Sequence, residues 1–162
     1  MPDTPQWIET FLQGRRYAVL ASQNDDGSIH LTPVWYLFED GQLFVETSAT
    51  SRKARNVLAR PTASLLVDVR IPGSERWVSA SGSVQVLRGE ASRALNDRIL
   101  RRYLTKEALQ HPTIGPVMAA ADDVTICLRP VQWRSWDAKT FDTRFFGGIL
   151  AETPQKWFLP LD

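Results

Sequence analysis

Between Tyr17 and Thr47 the chain reads YAVLASQNDDGSIHLTPVWYLFEDGQLFVET, three apolar stretches separated by NDDG and EDGQ. The separators combine Asp, Asn and Gly, the residues that accept the left-handed backbone of a tight turn, and the stretches between them are rich in β-branched and aromatic side chains. Strands joined by turns this short can pair only antiparallel, because a parallel return needs a crossover of a dozen or more residues. A β-meander is therefore expected, with strands at 17–23, 28–38 and 43–47. Further strand-like stretches follow at 62–69, 76–87 and 123–136, the last carrying Pro130, which suits an edge strand or a bulge.

Helical signals interrupt this pattern. TPQWIETFLQG offers Thr4 as N-cap, Pro5 at the first helical position, Trp7, Ile8, Phe11 and Leu12 on one face, and Gly14 as the stop. A second helix is expected to start at Ser51 and a third to cover 90–103. About six strands with three helical insertions point to a mainly β fold with α insertions, a small antiparallel closed or split barrel. The tail FFGGILAETPQKWFLPLD is apolar without a clear period, and it is expected to pack on the barrel or on a partner subunit.

The 162 residues suit one domain with a full core and are few for two. Lys and Arg number 19 against 18 Asp and Glu, so there is no broad basic field of the kind that tracks a nucleic-acid backbone. Any anion site must be local. No apolar run approaches the roughly 20 residues of a membrane span, and MPDTPQWIET has neither a basic region nor a small-residue cleavage site, so a cytoplasmic protein is expected. The single cysteine, Cys127, lies in VTICLRP and reads as a buried small hydrophobe of a strand. With only His30 and His111 and no Cys/His cluster, no metal site is expected. GxSxG, GxxxxGK[ST] and GxGxxG are all absent, which leaves no motif for an esterase, a P-loop NTPase or a Rossmann dehydrogenase. His30 reads as a surface or packing residue, and Asp68, Asp122 and Asp123 as strand-end or cap residues. No acid–base pair stands out, and the catalytic residues stay unknown.

One stretch carries chemistry. In TSATSRKARNVLARP, Thr47 to Pro61, hydroxyl residues lead into Arg52, Lys53 and Arg55 at the expected start of a helix. Cations at the positive end of a helix dipole are unfavourable unless an anion joins them. Free backbone N–H groups, the hydroxyls of Thr47, Thr50 and Ser51, and the cationic side chains together make a phosphate receptor. The alternative is a solvated basic helix that buries only Val57 and Leu58.

Taken in order, LASQNDDGSIHLTPVWY, GQLFVETSATSRKARNVLARPTASLLVD, RWVSASGSVQVL and LRPVQWRSW resemble the pyridoxamine 5'-phosphate oxidase-like, FMN-binding split-barrel proteins over about residues 8–137. They are most similar to the group described as FMN- or deazaflavin (coenzyme F-420)-dependent oxidoreductases. The resemblance implies a six-stranded split barrel that forms a homodimer with two flavin sites at the subunit interface. It implies that Thr47, Ser51, Arg52 and Lys53 surround the cofactor phosphate, with Arg55 and Asn56 nearby, and that Thr32, Pro33, Val34 and Trp35 lie along the isoalloxazine ring. It also implies a cofactor contact from Trp77, and it places Trp133 and Trp136 near the interface and the partner's flavin; both also suit a core.

Two departures bear on activity. True pyridoxamine phosphate oxidases carry an Arg-x-Val-Leu-Leu-Lys strand where this chain has LTPVWY, and a Gln where Trp77 falls. Their C-terminal Arg-Leu-His-Asp-Arg type segment is replaced here by DAKTFDTRFFGG. Vitamin B6 oxidation is therefore not expected. The expected function is flavin-dependent transfer of hydride or electrons to a small organic acceptor; the alternative is a non-catalytic flavin- or haem-binding carrier, with His30 or His111 as axial ligand.

Overall fold

The computed structural model describes residues 4–120 and 123–160, so the expected cap Asp122 and the ends of the chain lie outside the described residues. Helix α1 (Gln6–Gln13) is followed by strands β1 (Ala18–Gln23), β2 (Ile29–Val34), β3 (Leu37–Glu39) and β4 (Gln42–Ser48), then by helix α2 (Arg52–Ala59) and strands β5 (Thr62–Val69) and β6 (Arg76–Leu87). Helices α3 (Gly89–Tyr103), α4 (Lys106–Gln110) and α5 (Ile114–Ala120) precede the long strand β7 (Asp123–Asp137), after which come α6 (Ala138–Phe146), α7 (Ile149–Glu152) and α8 (Pro154–Trp157).

The strands form one antiparallel sheet in the order β2-β1-β5-β6-β7-β4-β3. Its two edge strands, β2 and β3, are consecutive in the chain and separated only by Trp35 and Tyr36. The sheet is thereby curled into a half-barrel whose edges meet along a seam, the form of a split barrel. Seven strands stand where six were expected, because the stretch at 28–38 is broken in two. Tyr36 causes the break. It is fully buried, and its hydroxyl donates to the carbonyls of Leu12 (2.8 Å) and Gly14 (3.2 Å) at the end of α1. Trp35 turns the other way and stacks on Tyr103 of α3, with ring centroids 5.1 Å apart.

Alternation along the strands divides the apolar side chains between two faces. Leu20, Tyr36, Leu43, Val45, Leu65, Val67, Val78, Ile126 and Leu128 fill the inside of the curl, closed by Ile8, Phe11 and Leu12 of α1 and Val57 of α2. Phe44 and Cys127 point to the opposite face, where Ile99 of α3 covers them. The Cys127 thiol is buried as expected, and burial raises its pKa.

Local details depart from expectation at the start of α1 and add to it elsewhere. Thr4 does not cap α1: the N-cap is Pro5, whose carbonyl accepts from the N–H groups of Ile8 and Glu9, and Trp7 is exposed rather than on the buried face. Pro130 sits at a bulge, one of the two settings expected for it, in an interior strand where Ser81 pairs with Gln132 and Gly82 with Pro130, leaving Val131 over. Gly82 is required there, since a Cβ at that position would lie 2.0 Å from the Arg129 carbonyl oxygen. The tail, which showed no clear period in the sequence, is built of helices. Asp137 caps α6 by accepting from Thr140 N, and the buried Asp142 accepts from Leu150 N (3.2 Å) and Ala151 N (2.8 Å). Helices of four residues, such as α7 and α8, are too short to show a period in the sequence.

Candidate functional site in the seam of the half-barrel

The seam is a consequence of strand lengths. Strand β3 pairs with β4 only at residues 42–44, so 45–48 of β4 keep β7 on one side and have no strand on the other. A cavity of about 330 Å³ occupies this gap. Pro33, Val34 and Trp35 form one wall, and Glu46, Thr47 and Ser48 the other. Lys53, Tyr17, Leu100 of α3, Met118 of α5 and Asp123 complete it.

Helix α2 starts at this cavity. Ser51 is its N-cap, with extended backbone, and its Oγ accepts from Ala54 N (3.2 Å) and from Thr47 Oγ1 (3.0 Å). Arg55 donates to the Thr50 carbonyl (2.7 Å), which fixes the approach to the helix. The first turn of α2 contains no acidic residue. Lys53 reaches the cavity half-buried, burial lowers its pKa, and among the described residues it forms no ion pair. A partly desolvated ammonium at the positive end of a helix is an arrangement that an anion stabilises.

Successive helical residues project about 100° apart, and this separates the expected phosphate ligands. Arg52 lines a different cavity, of about 510 Å³, with Asn24, Asp25, Asp26 and Arg55. There the Asp26 carboxyl is held below its usual range chiefly by hydrogen bonds from Ser28, with the Arg52 charge a smaller contributor. Asn56 is buried, and its amide donates to Ser22 Oγ (3.1 Å) and Asn24 Oδ1 (2.9 Å), fastening α2 to β1 and the following turn. Thr32 is hydrogen-bonded to His30 (2.6 Å) and does not line the seam cavity; neither does Trp77, which sits on β6 opposite Trp136. Trp133 packs on the core, and the exposed Trp136 leans on Phe141 of α6.

The structure thus brings Pro33, Val34, Trp35, Thr47 and Lys53 to one cavity, with Ser51 hydrogen-bonded to Thr47, and leaves Thr32, Arg52, Asn56 and Trp77 outside it. It also reveals what the sequence reading missed. Glu46 and Asp123 share the cavity wall, and the Glu46 carboxyl is pushed up to about 7 by burial first and then by hydrogen bonding to and repulsion from Asp123. The one sequence signal was an acid at the position of β4 that shares a face with Phe44, and it means something only once α3 is known to cover that face. Neither histidine lines the cavity. Among the described residues there is no group of three or more His, Cys, Asp or Glu able to hold a metal ion, and no helix is long and apolar enough to cross a membrane.

A curled antiparallel half-barrel sheet with a helix N-terminus and a half-buried lysine in its seam has the form of a split barrel. The family model described as pyridoxamine 5'-phosphate oxidase matches residues 4–137, and the chain belongs to that family. A comparison with curated proteins finds none that matches. Among solved structures, the conserved hypothetical protein Rv2991 from Mycobacterium tuberculosis is 28% identical, with 86% of this chain and 88% of that one covered and a TM-score of 0.71. A protein titled F420 reductase is 24% identical over 81% of this chain and 98% of its own, with a TM-score of 0.64. HutZ from Vibrio cholerae, titled a heme storage protein, is 17% identical over 82% and 93%, with a TM-score of 0.62. The last two likenesses show the fold alone.

Proposed function

We propose that this chain is a flavin-dependent oxidoreductase, holding FMN or the deazaflavin coenzyme F-420 by its phosphate in the seam and serving a small organic acceptor. The observation that carries the reading is Lys53, half-buried and without an ion-pair partner among the described residues, in a cavity whose opposite wall is Pro33, Val34 and Trp35. Lys53, Thr47 and the free N–H groups of the first turn of α2 bind the phosphate, while Pro33 and Trp35 shield the ring from water. The flavin, when bound, supplies two-electron hydride chemistry. The similarity to a protein titled F420 reductase supports the deazaflavin as an alternative to FMN. Oxidation of pyridoxamine phosphate is not part of this reading, because the chain lacks the substrate-binding sequence of the true oxidases.

The working form is a homodimer. On the outer face of the sheet, β2 leaves Ile29 and Leu31 more than half exposed, and Trp136 adds to the apolar surface. A second copy of the chain covers such a face. Light scattering at micromolar concentration is expected to give twice the monomer mass; a monomer refutes this part of the reading.

The test of function is an absorbance spectrum of the purified protein, mass spectrometry of whatever heat releases from it, and anaerobic reduction followed by addition of an acceptor. A bound flavin that is reduced and then reoxidised by the acceptor supports an enzyme. A flavin or haem that binds and does not turn over supports the non-catalytic carrier. A protein that takes up neither FMN nor the deazaflavin refutes the proposal.

A further inference from the structure

Strand β4 pairs with β7 so that Glu46 stands opposite Thr125 and Ser48 opposite Asp123. Glu46 and Asp123 are therefore diagonal neighbours on one face, near enough to share a hydrogen bond. Both line the seam cavity, and both also line a second cavity of about 310 Å³ between β4 and α3, in which Arg93, Asn96 and Arg101 provide a polar wall. The pair is thus a partition between the two spaces. The charged or titratable groups that face it are Lys53 and Tyr17 in the seam and Arg93, Asp97 and Arg101 in the second cavity. Arg101 is held by Asp97 at 2.7 Å, and among the described residues neither Glu46 nor Asp123 takes part in an ion pair. A half-buried carboxyl with a second acid beside it and no ion-pair partner ionises less readily than an isolated one, and burial followed by Asp123 raises Glu46 to about 7.

We propose that Glu46, backed by Asp123, is the acid–base residue of the seam, giving up the proton that accompanies hydride transfer and recovering it from water through the second cavity. This rests on the flavin reading above. The acceptor it serves is a small conjugated molecule whose reduction requires one hydride and one proton. In that step the acceptor takes a hydride from the anionic reduced flavin at one end of its conjugated system, and the displaced π pair bonds to the Glu46 proton at the other. The O–H bond of Glu46 breaks with its electrons left on the carboxylate, so that reduced flavin, acceptor and one proton give oxidised flavin and the reduced acceptor. Burial and Asp123 together keep Glu46 protonated up to a pH of about 7, the range in which a carboxylic acid serves as a general acid at neutrality.

Two measurements test the assignment. In the unloaded protein labelled with 13C-glutamate, one side-chain carboxyl is expected to titrate near 7, to vanish in Glu46→Gln and to move down in Asp123→Asn. A set of glutamates that all titrate in the ordinary carboxylate range overturns the proposal. In the flavin-loaded protein, reduced without oxygen and mixed with menadione over pH 5 to 9, the wild-type single-turnover rate is expected to fall as pH rises through about 7. Glu46→Gln is expected to be at least about tenfold slower at low pH and nearly independent of pH. A Glu46→Gln profile that matches the wild type overturns the proton assignment and leaves the flavin reading standing. A wild-type protein that takes up no flavin refutes that reading, and the proton assignment falls with it. Should Glu46→Gln not fold, Asp123→Asn carries the test through the position of the inflection, which is expected to move to lower pH.

Discussion

Lys53→Ala and Arg52→Ala differ by one position in the chain and are expected to differ widely in effect. Lys53 lines the seam cavity, while Arg52 lies in another beside Asp26. A hydrogen bond to a charged group contributes about 1.5 to 3 kcal/mol. At about 1.4 kcal/mol per tenfold, its loss in Lys53→Ala weakens FMN binding by roughly 10- to 140-fold. Arg52 acts on the phosphate only through solvent-screened charge, and Arg52→Ala is expected to change the affinity less than about threefold, a difference that 0.5 M salt removes. Neither substitution should destabilise the unloaded protein. Each removes a cation from the first turn of a helix, where it is unfavourable by about 0.3 to 1 kcal/mol. The assay is a fluorescence titration of FMN at low and high salt, paired with urea unfolding of the unloaded variants. Equal losses in the two variants, or no loss in Lys53→Ala, would refute the assignment of the phosphate to the seam.

Three further outcomes follow from the packing. Tyr36→Phe removes a buried hydroxyl that serves the Leu12 and Gly14 carbonyls, and it is expected to lower unfolding stability by about 1 to 3 kcal/mol with an unchanged urea m-value. Gly82→Ala drives a Cβ against the Arg129 carbonyl at the bulge, and a loss of about 1 to 3 kcal/mol or more is expected; a variant as stable as the wild type would mean that the bulge tolerates a side chain. Glu46 gives stability a pH slope. Its folded pKa, about 7, lies above the usual 4.5, so the native state holds more protons than the unfolded chain in that window, and this contribution weakens as pH rises from about 4.5 to 7 and then levels off. Urea midpoints measured from pH 4.5 to 8 should fall less steeply in Glu46→Gln; parallel slopes would contradict the raised pKa.

How much of this was legible in the chain depends on the range of the interactions. The turns NDDG and EDGQ specify their hairpins locally: the Asp40–Gly41 pair adopts the left-handed backbone that its residue types allow, and β1 pairs with β2 and β3 with β4, although the expected meander is split because β2 and β3 lie on opposite edges of the sheet. Ser51 as the cap of α2 and the buried Cys127 were equally legible, one from a local hydrogen bond and the other from alternation along a strand. What tertiary structure decided is where neighbours in sequence part company. Trp35 and Tyr36 end β2 because one stacks on α3 and the other hydrogen-bonds to the end of α1, contacts 67 or more residues distant for Tyr103 and over 20 for Leu12. Arg52 and Lys53 face different cavities because helical rotation sends one toward the β1–β2 turn and the other into the seam. Glu46 and Asp123 meet only because β4 and β7 pair across a separation that no local pattern spans. Local propensity decided the hairpins and the capped start of α2, whereas the cavity wall and its pair of neighbouring acids arise from the closure of the sheet, which no segment of the chain encodes by itself.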